Sequence, residues 1–233
     1  MAQRPAFIFD MDGTLVDNMP FHIQAWTNML AGLGVRTTPE AFLHQTAGKT
    51  NRQILREIFG GSLTEAETVS HVRRKEALYR SVYRPHLKPI AGLIEFLNEA
   101  QRLCIPMAVA TSAGKTNRDF VLQGLAIEAY FSVVVGVEEI HEGKPDPEIF
   151  LKAAERLAVA PGDCLVFEDA LAGIEAASRA GMRAVALTTT VDGEAFRNHP
   201  AVIQTTKDFI RLSPRLLLET LRKVSEGEPG SVG

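Results

Sequence analysis

The sequence predicts a three-layer α/β/α fold, a doubly wound parallel sheet interrupted after its first strand by an all-helical insert. Three observations predict it. Short apolar runs recur along the chain, helical patterns alternate with them in the second half, and one long segment has helical periodicity without a convincing strand.

The expected strands are Ala6 to Phe9, Pro106 to Ala110, Phe131 to Val135, Cys164 to Phe167, Arg183 to Leu187 and Ala201 to Ile203, each bounded by turn or polar residues. Their apolar residues run on instead of alternating with polar ones, which suits strands buried on both faces of a parallel sheet. Between them the helices are punctuated. Asp146 reads as an N-cap with Pro147 at the first helical position, and Ile149, Phe150, Ala153, Ala154 and Leu157 follow at helical spacing. A second helix starts near Ala170, carries Leu171, Ile174 and Ala177 on one side, and stops at Gly181, the expected left-handed residue.

From about Asn18 to Arg84 the pattern is helical throughout. Trp26, Met29, Leu30 and Leu33 repeat at helical spacing before Gly34, Thr38-Pro39 opens another helix, and Thr64 with Glu67 forms a capping box for a third. The segment leaves the core right after the first strand and returns near Ile90, so it can sit over the carboxyl end of the sheet. The expected division is a core of residues 1–17 and 86–224, a helical cap of residues 18–85, and a disordered tail over residues 225–233.

Composition limits the function. The 233 residues are 45% hydrophobic and 23% charged, with a net charge of −3. This gives no basic excess to bind nucleic acid. The two cysteines, Cys104 and Cys164, both stand beside apolar residues and read as reduced thiols in or near a core. No apolar stretch has membrane-spanning length and the start of the chain lacks a signal peptide's apolar region, so a cytoplasmic protein without membrane partners is expected.

The strand ends carry the chemistry. Asp10 and Asp12 lie two residues apart where an apolar strand stops, so both should face one side of its mouth, and two carboxylates that close call for a proton or a hard cation such as Mg²⁺. Gly13 lets the chain turn away. Thr111 and Ser112 end the second strand with hydroxyls, Lys144 lies in a proline-bounded loop, and Glu168 with Asp169 puts two more acids at the end of a buried strand. Singly these could be an acidic turn, loop hydroxyls and a surface lysine. Converging in one crevice, they form the set that metal-assisted phosphoryl transfer to a carboxylate requires.

With these residues in hand, the chain resembles the haloacid dehalogenase superfamily. Asp10-x-Asp12-Gly13-Thr14, Thr111-Ser112, Lys144 with its following proline, and Glu168-Asp169 match its four motifs in order. The insert and the run Asp169-Ala170-x-x-Gly173-Ile174-x-Ala176-Ala177 are similar to its β-phosphoglucomutase-like phosphatase group. The resemblance implies a Rossmann-like core and a catalytic set of Asp10 as nucleophile, Asp12 as general acid and base, and Thr111 and Lys144 as stabilisers of the transferring group. It also implies Mg²⁺ held by Asp10, the Asp12 backbone carbonyl and Asp169, with Glu168 in the metal's shell. Further substrate contacts are expected from Ser112, Asn117, His22, Gly48, Asn51, Arg52 and Lys75. Arg52 falls one position after the arginine that grips the distal phosphate in the mutases, and Asn51 occupies the matching place. This departure favours hydrolysis of a small phosphorylated metabolite, a sugar phosphate, over isomerisation by a β-phosphoglucomutase. A phospho-accepting signalling domain would lack Asp12 and the insert and be about half as long. A monomer or weak dimer is expected.

Overall fold

The computed structural model describes residues 5–39, 41–42 and 49–225. Six strands form one parallel sheet: β1 (Ala6–Phe9), β2 (Met107–Ala110), β3 (Val133–Val135), β4 (Cys164–Glu168), β5 (Arg183–Leu187) and β6 (Val202–Thr206). Their order is β3-β2-β1-β4-β5-β6, so β1 stands between β2 and β4 and the winding reverses there. Ligand crevices of open α/β sheets form at such a reversal, outside the carboxyl ends of the strands.

Side-chain alternation along β1 builds the two layers. Phe7 and Phe9 enter one core with Phe96, Phe167 and Phe209, while Ala6 and Ile8 enter the other with Ala108, Val166, Phe150 and Ile174. The first layer is aromatic, with the Phe9 and Phe167 rings stacked at 4.5 Å between centroids. Such a pair contributes about 1 kcal/mol beyond its buried area. The sheet is covered on that side by helices at Leu93–Arg102, Lys115–Gly124 and Pro214–Ser225, and on the other by Glu148–Leu157 and Leu171–Arg179.

The insert supplies α1 (Met19–Ala31), α2 (Asn51–Phe59) and α3 (Glu65–Tyr83), so the five core helices are α4 to α8 in chain order. Capping boxes at Thr50/Gln53 and Thr64/Glu67 start α2 and α3. Trp26, Met29, Leu30, Phe42, Ile54 and Leu55 form the insert's own small core. Tyr79 and Tyr83 of α3 reach instead into the aromatic layer of the sheet, and Ile90 N donates to Leu15 O at 3.0 Å, tying the two strands of the neck together.

Several local expectations are corrected. The last strand runs over Val202–Thr206 and is half exposed, as befits an edge strand, whereas β1, β2 and β4 are buried throughout. Helix α6 begins at Glu148, with Pro147 just before it in helical φ and ψ, yet Asp146 Oδ1 still accepts from Glu148 N at 2.9 Å as a cap does. Leu171 is exposed, because α7 turns Ile174 and Ala177 inward and leaves its first residue outside. Cys104 is exposed in a turn with φ of 55°, and only Cys164 is buried. The tail beyond Ser225 lies outside the described residues.

Candidate active site

Strand register decides what meets at the centre of the sheet. Phe9 pairs with Val109 on one side and Phe167 on the other, so Asp10, the Ala110–Thr111 step and Glu168 emerge level. Asp10 N donates to Phe167 O at 2.9 Å, which keeps its backbone in the ladder and fixes where its carboxylate starts. The chain then turns at Gly13, whose φ is +81° and where an added Cβ would lie 2.0 Å from Asp169 Oδ2. A side chain at Gly13 is therefore excluded both by backbone conformation and by the acid beneath it.

Lys144 reaches in from the loop before α6. It is buried, and its Nζ donates to Asp10 Oδ1 at 2.6 Å and to Glu168 Oε1 at 2.5 Å. Burial alone would lower its pKa, but the two carboxylates outweigh that and hold the ammonium above its usual range. Glu168 Oε2 accepts from Asp169 N and Ala170 N, each at 2.7 Å. Asp169 accepts from Thr14 Oγ1 at 3.4 Å and from Thr190 Oγ1. Thr111 Oγ1 accepts from Ala113 N at 3.1 Å, which leaves its own O–H proton to donate elsewhere.

Three buried carboxylates thus face one ammonium. Burial pushes Asp10 up to about 7 against the pull of Lys144, and burial with the neighbouring charges of Glu168 and Asp10 raises Asp169 well above the usual carboxylate range. Oxygens of Asp10, Glu168 and Asp169 lie within 4.8 Å of one another. An excess of buried negative charge with hard oxygen donors fits a divalent cation such as Mg²⁺. Asp10 and Asp169 have acceptor positions to spare for it. Glu168 is committed to Lys144 and two backbone N–H groups, so it suits an orienting role in the outer shell.

The insert closes the site from above. Asn18 Nδ2 donates to Asp12 Oδ1 and to Tyr79 Oη, both at 2.6 Å, and His22 Nε2 stands 3.5 Å from Asp12 Oδ2. Lys75 Nζ is 2.7 Å from His22 Nδ1. An ammonium can only donate, so Nδ1 accepts and the imidazole proton sits on Nε2, towards Asp12. Burial would raise Asp12, but His22 and Asn18 outweigh it and hold this carboxyl below its ordinary value. Tyr79 stacks on His22 at 3.7 Å between ring centroids.

Asp10, Asp12, Thr111, Ser112, Asn117, Lys144, Glu168 and Asp169 therefore line one chamber of about 80 Å³, together with His22, Asn51 and Lys75. Arg52 is not among them. It forms a two-pronged ion pair with Glu65 on the outer surface and lines a neighbouring cavity of about 530 Å³. Gly48 lies outside the described residues. Glu76, Asn18 and Thr190 join the site without having been expected from the sequence, and Thr14, part of the first motif, supplies a hydroxyl to Asp169. Glu76 Oε1 accepts from Asn51 Nδ2 at 2.6 Å and Lys75 Nζ at 3.0 Å, its Oε2 accepts from Asn117 Nδ2, and Arg80 Nη1 donates to Asn117 Oδ1 at 2.6 Å. Asn18 could have been noticed as a polar residue just after the Asp10-x-Asp12 turn. Glu76, inside the charged run Arg73-Arg74-Lys75-Glu76, gave no local signal.

Known proteins with similar sequence and fold are enzymes of one family. A family model described as haloacid dehalogenase-like hydrolase matches residues 7–187. A fructose-1-phosphate phosphatase of Escherichia coli strain K12 is 34% identical over 180 residues, spanning 76% of this chain and 93% of its own. A β-phosphoglucomutase of Bacillus subtilis strain 168 is 32% identical over 213 residues, spanning 88% and 91%. Among solved structures, a β-phosphoglucomutase from Clostridium difficile superposes with a TM-score of 0.84 at 26% identity, over 96% of this chain and 99% of that one.

Proposed function

The chain belongs to the haloacid dehalogenase-like hydrolase family, and from that premise we propose that it is a magnesium-dependent phosphatase that hydrolyses a sugar phosphate through an aspartyl phosphate on Asp10. The observation that carries the reading is the convergence of Asp10, Lys144, Glu168 and Asp169 beneath Asp12 in one buried chamber.

In the first half-reaction an Asp10 carboxylate oxygen attacks phosphorus as the bond to the sugar oxygen breaks. Asp12 gives its proton to the departing alkoxide. In the second half, water attacks the aspartyl phosphate, Asp12 takes the proton, and inorganic phosphate leaves with Asp10 regenerated. Asp12 stands in its carboxylate form here because His22 and Asn18 hold it so, and it must gain its proton as substrate enters and loosens those bonds. Asp10, Asp169 and the Asp12 backbone carbonyl would hold Mg²⁺, which would supply positive charge to offset repulsion between the nucleophile and the phosphate. Lys144 serves the same end, and the Thr111 hydroxyl orients an equatorial oxygen.

Water is the acceptor in this reading because Asn51 occupies the place of a distal-phosphate arginine and is tied to Glu76, while Arg52 is tied to Glu65 outside the chamber. The chamber is smaller than the roughly 300 Å³ a bound metabolite needs, so admitting substrate requires the insert to shift or the leaving group to extend into the neighbouring cavity of about 530 Å³. The test is phosphate release from a panel of sugar phosphates, run beside a coupled assay for glucose 6-phosphate formed from β-glucose 1-phosphate with a bisphosphate primer. Phosphate release is expected to dominate, and isomerisation outpacing it would promote the mutase.

A further inference from the structure

Among the described lining residues of the chamber, Glu76 is the acid that the chemistry above does not use. It belongs to α3, its side chain is only 15% exposed, and it stands where the chamber meets the larger neighbouring cavity, lining both. Asn51, Lys75 and Asn117 fill three of its acceptor positions from three directions. A carboxylate has about four, so one remains for a hydroxyl donor.

Charge in the chamber is already assigned. Its described lining residues include five carboxylates, Asp10, Asp12, Glu76, Glu168 and Asp169, and three ammonium groups. Each ammonium has an acidic partner: Lys49 pairs with Glu57, Lys75 with Glu76, and Lys144 with Asp10 and Glu168. A divalent cation at the Asp10 end would offset most of the excess negative charge, and the transferring phosphoryl group would draw on that cation and Lys144. Among the described lining residues contributed by or facing the insert, the Glu76 carboxylate and the amides of Asn51 and Asn117 form one bonded cluster.

We infer that Glu76 selects the substrate, accepting a hydrogen bond from a hydroxyl of an uncharged, hydroxyl-rich leaving group and rejecting a leaving group that carries a second anion. The inference rests on the phosphotransfer reading of this chamber. A second phosphate in the chamber would face the partly buried Glu76 carboxylate with no guanidinium among the chamber's described lining residues. Of those lining the neighbouring cavity, Arg52 is paired with Glu65, Arg80 donates to Asn117 and Arg73 is exposed. A sugar or polyol hydroxyl instead completes the acceptor set of Glu76. Burial would raise this carboxyl, but Lys75, His22, Asn51 and Asn117 outweigh that and bring it down to about 2, so it is charged at neutral pH. Glu76 is a specificity residue and takes no part in the bond that breaks.

Titration calorimetry tests this on the full chain carrying Asp10→Asn, which keeps the ligand intact, with Mg²⁺ present. The ligands are fructose 1-phosphate and fructose 1,6-bisphosphate, titrated against Glu76, Glu76→Gln and Glu76→Asp forms. The Glu76 form should bind the monophosphate at least about tenfold tighter than the bisphosphate. Glu76→Gln should close most of that gap, chiefly by gaining affinity for the bisphosphate, and Glu76→Asp, which keeps the charge, should retain the preference. A bisphosphate bound as tightly as the monophosphate by the Glu76 form would overturn the inference, as would equal changes for both ligands in Glu76→Gln or no binding of the monophosphate at all. Because the readout is binding, a protein that shows the preference yet releases no phosphate with Asp10 restored would contradict the phosphatase reading and leave this inference standing.

Discussion

Lys144 Nζ lies 2.6 Å from Asp10 Oδ1, a buried contact between residues 134 positions apart. It joins a loop from one side of the sheet to the end of the central strand, and the same nitrogen holds Glu168. Position and charge of the proposed nucleophile therefore depend on a side chain from a distant part of the chain.

Lys144→Met should consequently damage both fold and rate. Removing one partner from a buried ion cluster costs about 3–5 kcal/mol, because the acids left behind are uncompensated. Denaturant melts should show a loss of that order in chelator and a smaller one in excess Mg²⁺, which can replace part of the missing charge. Under saturating Mg²⁺ and substrate, phosphate release should fall at least about 100-fold. A variant as stable as the parent in chelator would contradict the role given to this ammonium.

Gly13→Ala tests the fit between the Asp12 turn and the acid below it. The new Cβ would sit 2.0 Å from Asp169 Oδ2 at a φ of +81°. Asp169 must move aside, so Mg²⁺ affinity measured by thermal shift should drop at least about tenfold, beyond any global loss of about 1–3 kcal/mol from backbone strain. Unchanged affinity would remove Asp169 from the metal site.

Glu76 makes a prediction about acid stability. Its partners depress its folded-state pKa from 4.5 to about 2, so the stability it contributes is present above pH 4.5 and is lost as pH falls towards 2. The contribution at neutral pH is on the order of 3 kcal/mol at most. Glu76→Gln should flatten the stability profile within that window, read as urea midpoints at closely spaced pH values. A profile parallel to the parent's would mean that the carboxylate is not held low.

How much of this could be read beforehand follows from where each signal resides. The strands were legible because central parallel strands are buried on both faces and bounded by turns, and Asp10, Thr111, Glu168 and Asp169 because they stand at strand ends beside apolar runs. The environment of Glu76 was not, since it depends on Asn51 and Asn117, 25 and 41 residues away, which periodicity along α3 cannot report. Arg52 and Asn51 are neighbours in sequence that a helix start turns apart, one towards Glu65 outside and the other towards Glu76 within. Leu171 and Cys104 misled because an apolar residue at the end of an element need not face the core.

The central claim is covalent transfer to Asp10, and the most direct test is to trap it. Enzyme quenched in acid during turnover with Mg²⁺ and a sugar phosphate should carry a phosphoryl group on the peptide containing Asp10, found by mass spectrometry after mild digestion. Asp10→Asn should carry none and should release phosphate at less than about a hundredth of the parent rate while melting at a similar temperature. A parent enzyme that turns over with its phosphoryl group on another residue, or an Asp10→Asn enzyme that keeps its rate, would contradict the account.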